Sequence, residues 1–164
     1  MRFRSSLFLT MLPVLAASLL STAPALAQAH AGHTATAGTA LPTITVHKGP
    51  ECGCCDKWIA MAKAEGFKVE VVVTDDLSDV KRKAGVPAAQ EACHTATAGG
   101  YVFEGHVPLD LVRKVLETRP AIAGLLVAGM PPSSPGMEEV GQPHQPYEVL
   151  AMGLDGKLTT YARR

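Results

Sequence analysis

The chain has 164 residues, 15 basic against 15 acidic side chains, and few aromatic residues (5%). That length fits one ordinary domain. The formal net charge is zero, and nothing in the sequence suggests the basic face or tail that a nucleic-acid-binding protein needs; the scarcity of aromatics leaves the core to Val, Leu, Ile and Ala.

The first element reads as an address rather than as part of the fold. Arg2 and Arg4 precede an apolar run from Leu7 to Leu20, broken once by Pro13, and Ala25-Leu26-Ala27 then offers small residues at both positions a signal peptidase reads. The expected organisation is a signal peptide over 1–27, cleaved after about Ala27, a flexible linker over 28–41, and one folded domain over 42–164. The apolar run is short for a retained anchor, so no membrane attachment is expected after cleavage. Export implies a periplasmic or extracellular setting, where disulfides form and free thiols need protection or a metal. The linker is rich in Ala, Thr and Gly, and its His30 and His33 read as solvated.

Alternating β-branched residues predict a strand over 43–47, stopped by Gly49-Pro50. A helix is expected over 54–65, with Trp58, Ile59 and Met61-Ala62 on its apolar stripe and Gly66 as its stop. Residues 68–73 read as a second strand. Asp75-Asp76 can cap a short helix through Leu77, Val80 and Ala84. Strands over 95–98 and 101–104, separated by Gly99-Gly100, form a hairpin signal. Pro108 opens a helix over 109–118. The apolar stretch 121–128 fits either a helix or a strand. Residues 129–146 are rich in Pro and Gly and read as a loop. Segments 147–154 and 157–162 flank Asp155-Gly156, a two-residue hairpin turn signal. The order β-α-β-α-β-β-α is the thioredoxin-like order, so the expected fold is α/β and thioredoxin-like, with the Pro/Gly-rich loop and a C-terminal β-hairpin added.

All four cysteines fall into two places: Cys52-Gly53-Cys54-Cys55 and Cys93-His94. Cys52 and Cys55 have the C-x-x-C spacing and stand between the first strand and its helix, where redox members of the thioredoxin class carry that motif. Unpaired N–H groups and the positive end of the helix favour thiolates there. Thiolates serve both metal binding and disulfide exchange, so the motif alone does not choose. Cys54 is a third thiol. The loop entering the third strand, where redox members place a cis-proline, carries Ala92-Cys93-His94-Thr95 instead. Four sulphurs and an imidazole would then share one small volume, a soft donor set suited to Cu(I) and acceptable to Zn(II). Bridging thiolates make a small polynuclear Cu(I) cluster as reasonable as a single ion.

The run from Lys48 to Trp58, together with 92–96, 100–108, Gly129-Met130-Pro131 and 134–138, resembles a CopG-like family of periplasmic copper-resistance and metal-binding proteins. The resemblance covers about residues 43–163. It implies a thioredoxin-like fold, export, copper bound through the cysteines, and a role in copper resistance. The metal ligands expected on these grounds are Cys52, Cys54, Cys55, Cys93 and His94, with His106, Met130 and Met137 as additional donors. A thioether suits Cu(I), and the long loop carrying Met130 and Met137 could cover the site as a lid. His144 reads as solvated, His47 as a support near the site, and Trp58 as a core anchor. Three other readings stay open: a thiol–disulfide oxidoreductase with Cys52 as nucleophile and Cys55 as resolving thiol, a structural zinc module, and a structural Cys52–Cys55 disulfide with the other thiols as bystanders. Expected partners are copper ions and periplasmic copper-efflux or copper-carrier proteins.

Overall fold

The computed structural model describes residues 40–164. The predicted signal peptide and residues 28–39 of the predicted linker lie outside the described residues. The ordered chain begins with β1 (Ile44–Lys48), whose odd-even alternation buries Ile44 and Val46. Helix α1 (Gly53–Ala64) follows and returns the chain to β2 (Val69–Val73), which pairs parallel with β1. Trp58, Ile59 and Ala62 lie on the buried stripe of α1, whereas Met61, expected there, falls one position off that face and is exposed; Trp58 Nε1 donates to Val107 O at 2.9 Å. The anchor role expected of Trp58 is therefore met by both its ring and its N–H.

Helix α2 (Ser78–Lys83) is short, and Asp76 Oδ1 accepts from the Ser78 N–H at its start. A 3₁₀ turn over Ala88–Gln90 leads into β3 (His94–Ala98) and β4 (Tyr101–Glu104), the hairpin predicted around Gly99-Gly100. Helix α3 (Leu109–Thr118) carries a strong apolar stripe of Leu111, Val112, Val115 and Leu116, and ends with Arg119 in the left-handed conformation (φ 52°) before Pro120.

The stretch of undecided type is a strand, β5 (Ile122–Leu126), parallel to β4. It lacks alternation because both its faces are covered. Leu125 joins the large core beneath α1 and α3, whereas Leu126 joins a smaller cluster with Val86 and Met152 on the other face. The chain closes with β6 (Glu148–Gly153) and β7 (Leu158–Arg163). One seven-stranded sheet results, in the order β2-β1-β3-β4-β5-β6-β7. The addition to the expected β-α-β-α-β-β-α order is thus three strands, not only a hairpin.

The last turn also differs from expectation. Gly153 N–H donates to Lys157 O, so three residues rather than two form the loop, with Gly156 at φ 78°. Asp-Gly serves this turn as well: Asp155 Oδ1 accepts from Lys157 N–H, and only glycine takes the left-handed position without strain. The architecture is α/β. Its sheet order places the start of α1, the start of β3 and the loop after β4 side by side, and the two cysteine segments lie there.

Candidate metal centre

Cys52 is the residue immediately before α1, and Cys54 and Cys55 lie in its first turn. The first turn also contains Asp56, whose carboxylate pairs with Lys48 Nζ at 2.8 Å and ties the helix start to the end of β1. Cys52 and Cys55 are joined by a disulfide, with Cα atoms 5.3 Å apart. Cys54 and Cys93 are free. The disulfide sulphurs carry no proton, so the depressed pKa expected at a helix start concerns only the reduced pair.

Cys54 Sγ lies 3.6 Å from Cys52 Sγ and 3.8 Å from Cys93 Sγ. Cys55 Sγ lies 3.8 Å from the Cys93 carbonyl oxygen. The four sulphurs fall within 4.8 Å of one another although 38 residues separate Cys55 from Cys93. The loop entering β3 does lie against the C-x-x-C turn. Among the described residues there is no cis peptide bond.

A second group overlaps the first. Cys93, His94 and His106 offer ligand atoms within 4.8 Å of one another, and Cys93 is common to both groups. His106 Nε2 lies 2.9 Å from Cys93 Sγ, and His106 Nδ1 lies 2.7 Å from Pro135 O. A carbonyl only accepts, so Nδ1 carries the ring proton and Nε2 presents its lone pair to the Cys93 thiol. His94 is fully buried between the Trp58 and His106 rings, each with its centroid 5.0 Å away. Its Nδ1 is 3.6 Å from Cys93 Sγ, and its Nε2 has no hydrogen-bond partner. A buried ring nitrogen without a partner is costly in a protein that holds nothing there.

Burial sets the protonation states. It pushes the Cys93 thiol up to about 12, with nearby Cys54 adding to the effect. Burial depresses His94 to about 3, helped by His106 and Lys81. Burial also lowers His106, against the opposing pull of the Pro135 carbonyl. Both imidazoles are therefore neutral near pH 7, the form in which imidazole binds a metal.

The 129–146 loop forms a strap over this corner. Gly129 pairs with Ala92 in an isolated bridge, and Ser134 is buried with its Oγ on Pro131 O at 2.7 Å. Gly136 lies so close to the first turns of α1 that a Cβ there would sit 3.1 Å from Cys54 O and 3.0 Å from Trp58 N. Its φ of 87° is a second reason for glycine. The strap thereby delivers the Pro135 carbonyl that orients His106.

Of the residues singled out in the sequence, the structure brings together Cys52, Cys54, Cys55, Cys93, His94 and His106. It ranks His106 higher than the sequence did, since an imidazole two residues past a strand carries no motif of its own. Met130 is 53% exposed at the start of the strap, and Met137 is half-buried, its N–H on Ser134 O. His47 lines a surface hollow with Val80, Lys83 and Thr97, and His144 is exposed beside Glu138 and Glu139; neither enters a ligand group. No helix of the described residues is long and apolar enough to cross a membrane.

Comparison with known proteins agrees with the resemblance. Residues 90–137, which span Cys93, His94, His106 and the first half of the strap, match the family described as "Protein of unknown function, DUF411". A search of curated proteins gave no match. Two solved structures of copper resistance protein CopG are similar. Form 2 is 40% identical with a TM-score of 0.72, over 77% of this chain and 99% of that one. Form 1 is 40% identical with a TM-score of 0.70, over 75% of this chain and 98% of that one. The chain belongs to the CopG-like copper-resistance family.

Proposed function

We infer that this is an exported copper-binding protein of copper resistance, which takes Cu(I) as its cargo at the corner where α1, β3 and the strap meet. The single observation that carries this reading is the position of Cys93, common to a four-sulphur group and to a Cys-His-His group. Thiolates and neutral imidazoles are the donors Cu(I) prefers. Cys52, Cys54, Cys55 and Cys93 would supply thiolates, and His94 and His106 nitrogens. Met130 and Met137 remain additional thioether donors from the strap. A thiolate shared by two groups suits a thiolate-bridged cluster. Zn(II) is the competing ion for the same donors. The element order and the 2-1-3-4 order of the first four strands support a thioredoxin-like core. The N-terminal pattern supports export to the periplasm with cleavage after about Ala27, where efflux or carrier proteins for copper would be its partners.

Loading the full sulphur set requires reduction of the Cys52–Cys55 disulfide. A dithiol reductant supplies two electrons and two protons and leaves as its own disulfide. Metal binding then displaces the thiol protons to solvent. The disulfide at the head of α1 also favours a second reading, thiol–disulfide exchange by Cys52 and Cys55. Titration of the anaerobic, reduced protein with Cu(I) against a competing chelator tests the first reading. Tight binding that collapses in the Cys54→Ser/Cys93→Ser variant supports it. Weak binding indifferent to that variant, with disulfide reductase turnover retained, would replace it by the second.

A further inference from the structure

Glu104, at the end of β4, is fully buried, and the Lys81 side chain is 5% exposed. Neither belongs to a ligand group. Lys81 Nζ, reaching in from α2, lies 2.5 Å from Glu104 Oε1 and 3.1 Å from Thr95 Oγ1. Two other donors reach the same carboxylate. Ala92 N–H donates to Oε1 at 2.7 Å, and the Thr95 hydroxyl donates to Oε2 at 2.6 Å. Ala92 and Thr95 flank Cys93-His94 on either side. One buried carboxylate therefore holds the chain immediately before and immediately after the two residues that contribute ligand atoms. A buried ion pair is by itself a poor source of stability, because desolvation offsets most of the attraction. Its placement needs another reason.

We propose that Glu104, held by Lys81, is the positioning group for Cys93-His94: its two oxygens fix the backbone at Ala92 and the side chain at Thr95, and so keep Cys93 Sγ between Cys54 and His106. Lys81 pairs with Glu104 and holds Oε1 from the side of α2, and its own link to Thr95 closes the ring of contacts. The α2 helix, which contributes no ligand, takes part in the centre through this one side chain. The proposal rests on Cys93 being the shared ligand, but its test needs no metal.

In the disulfide-containing protein only Cys54 and Cys93 react with iodoacetamide, so the ratio of their alkylation rates, read by peptide mass spectrometry, reports on Cys93 with Cys54 as internal reference. The Lys81→Met/Glu104→Leu variant removes the acceptor without leaving a lone buried charge. It is expected to raise the Cys93:Cys54 ratio roughly tenfold, the scale set by losing a buried hydrogen bond. Lys81→Met/Glu104→Gln keeps one carbonyl acceptor and is expected to stay within about threefold of the parent protein. Thr95→Val, which leaves the ion pair intact and removes one arm, should fall between them, and serves if the leucine variant does not fold. Circular dichroism and Trp58 emission establish folding. A Cys93:Cys54 ratio equal to that of the parent in folded leucine and valine variants would overturn the proposal. Failure of the parent protein to bind Cu(I) would remove the functional reading alone; the alkylation ratio still decides the bracket.

Discussion

Cys93 Sγ and His106 Nε2 are 2.9 Å apart, closer than Cys93 Sγ is to Cys54 Sγ or His94 Nδ1. The pair joins the segment entering β3 to the loop leaving β4, and the Pro135 carbonyl holds the far side of the ring. Because Cys93 also faces Cys54, its loss should damage both ligand groups at once. Cys93→Ser is expected to weaken Cu(I) binding by roughly 100-fold or more, and His106→Phe by about 10- to 100-fold. Cys54→Ser, which touches one group only, should cost less than Cys93→Ser. Competition titrations of the three variants check the order.

The strap acts on the same pair. Gly136→Val would place side-chain atoms against Cys54 O and Trp58 N and would force a β-branched residue to φ 87°. The expected result is a loss of about 1–3 kcal/mol of stability in denaturant unfolding, together with a drop in copper affinity at least as large as that of His106→Phe. A variant that is destabilised but binds copper normally would show that the strap does not orient His106.

Buried neutral histidine makes the metal-free protein acid-sensitive. His94 is depressed to about 3 in the folded chain from 6.5. Above 6.5 both states carry neutral imidazole and stability is full. As the pH falls from 6.5 towards 3 the unfolded chain takes up a proton that the folded chain does not, so stability is lost across that window. The loss is on the order of 3–5 kcal/mol. Urea unfolding at pH 7, 5 and 4 should show it, and His94→Phe should flatten the dependence.

Thiol counting reports the state of the centre. The protein with Cys52–Cys55 closed should titrate two free thiols, Cys54 and Cys93, and four after reduction. Copper capacity should rise in step with that reduction. Trp58 is the sole tryptophan and its ring lies 5.0 Å from that of His94, so copper loading should quench its emission.

Much of this was legible in the sequence because local signals and tertiary structure agree. The Gly49-Pro50 stop, the apolar stripe of α1 apart from Met61, the Gly99-Gly100 hairpin and the Pro108 start of α3 each read correctly because turn chemistry and periodicity act over a few residues. The meeting of Cys54 with Cys93 is anticipated once the order of elements is read as thioredoxin-like, with the loop entering the third strand against the C-x-x-C turn. Residues 121–128 could not be typed, because β5 is covered on both faces and its burial erases the period. His106 reads in the sequence only as an additional donor, and the Lys81–Glu104 pair not at all, for a different reason. Each acquires its meaning from a partner 13 to 29 residues away, Cys93 and Pro135 for His106 and Glu104 for Lys81. Charged residues in a strand end and a short helix look like solvated ones until packing places them together.

The central claim is that Cys93 is a thiolate shared within a copper centre. X-ray absorption at the copper edge of the reduced, Cu(I)-loaded protein, beside its Cys93→Ser variant, tests this most directly. The account predicts a shell dominated by sulphur with a nitrogen contribution, a short Cu–Cu distance where more than one ion is bound, and loss of that distance with fewer sulphur neighbours in the variant. A shell of oxygen and nitrogen alone, or a spectrum unchanged by Cys93→Ser, would contradict it.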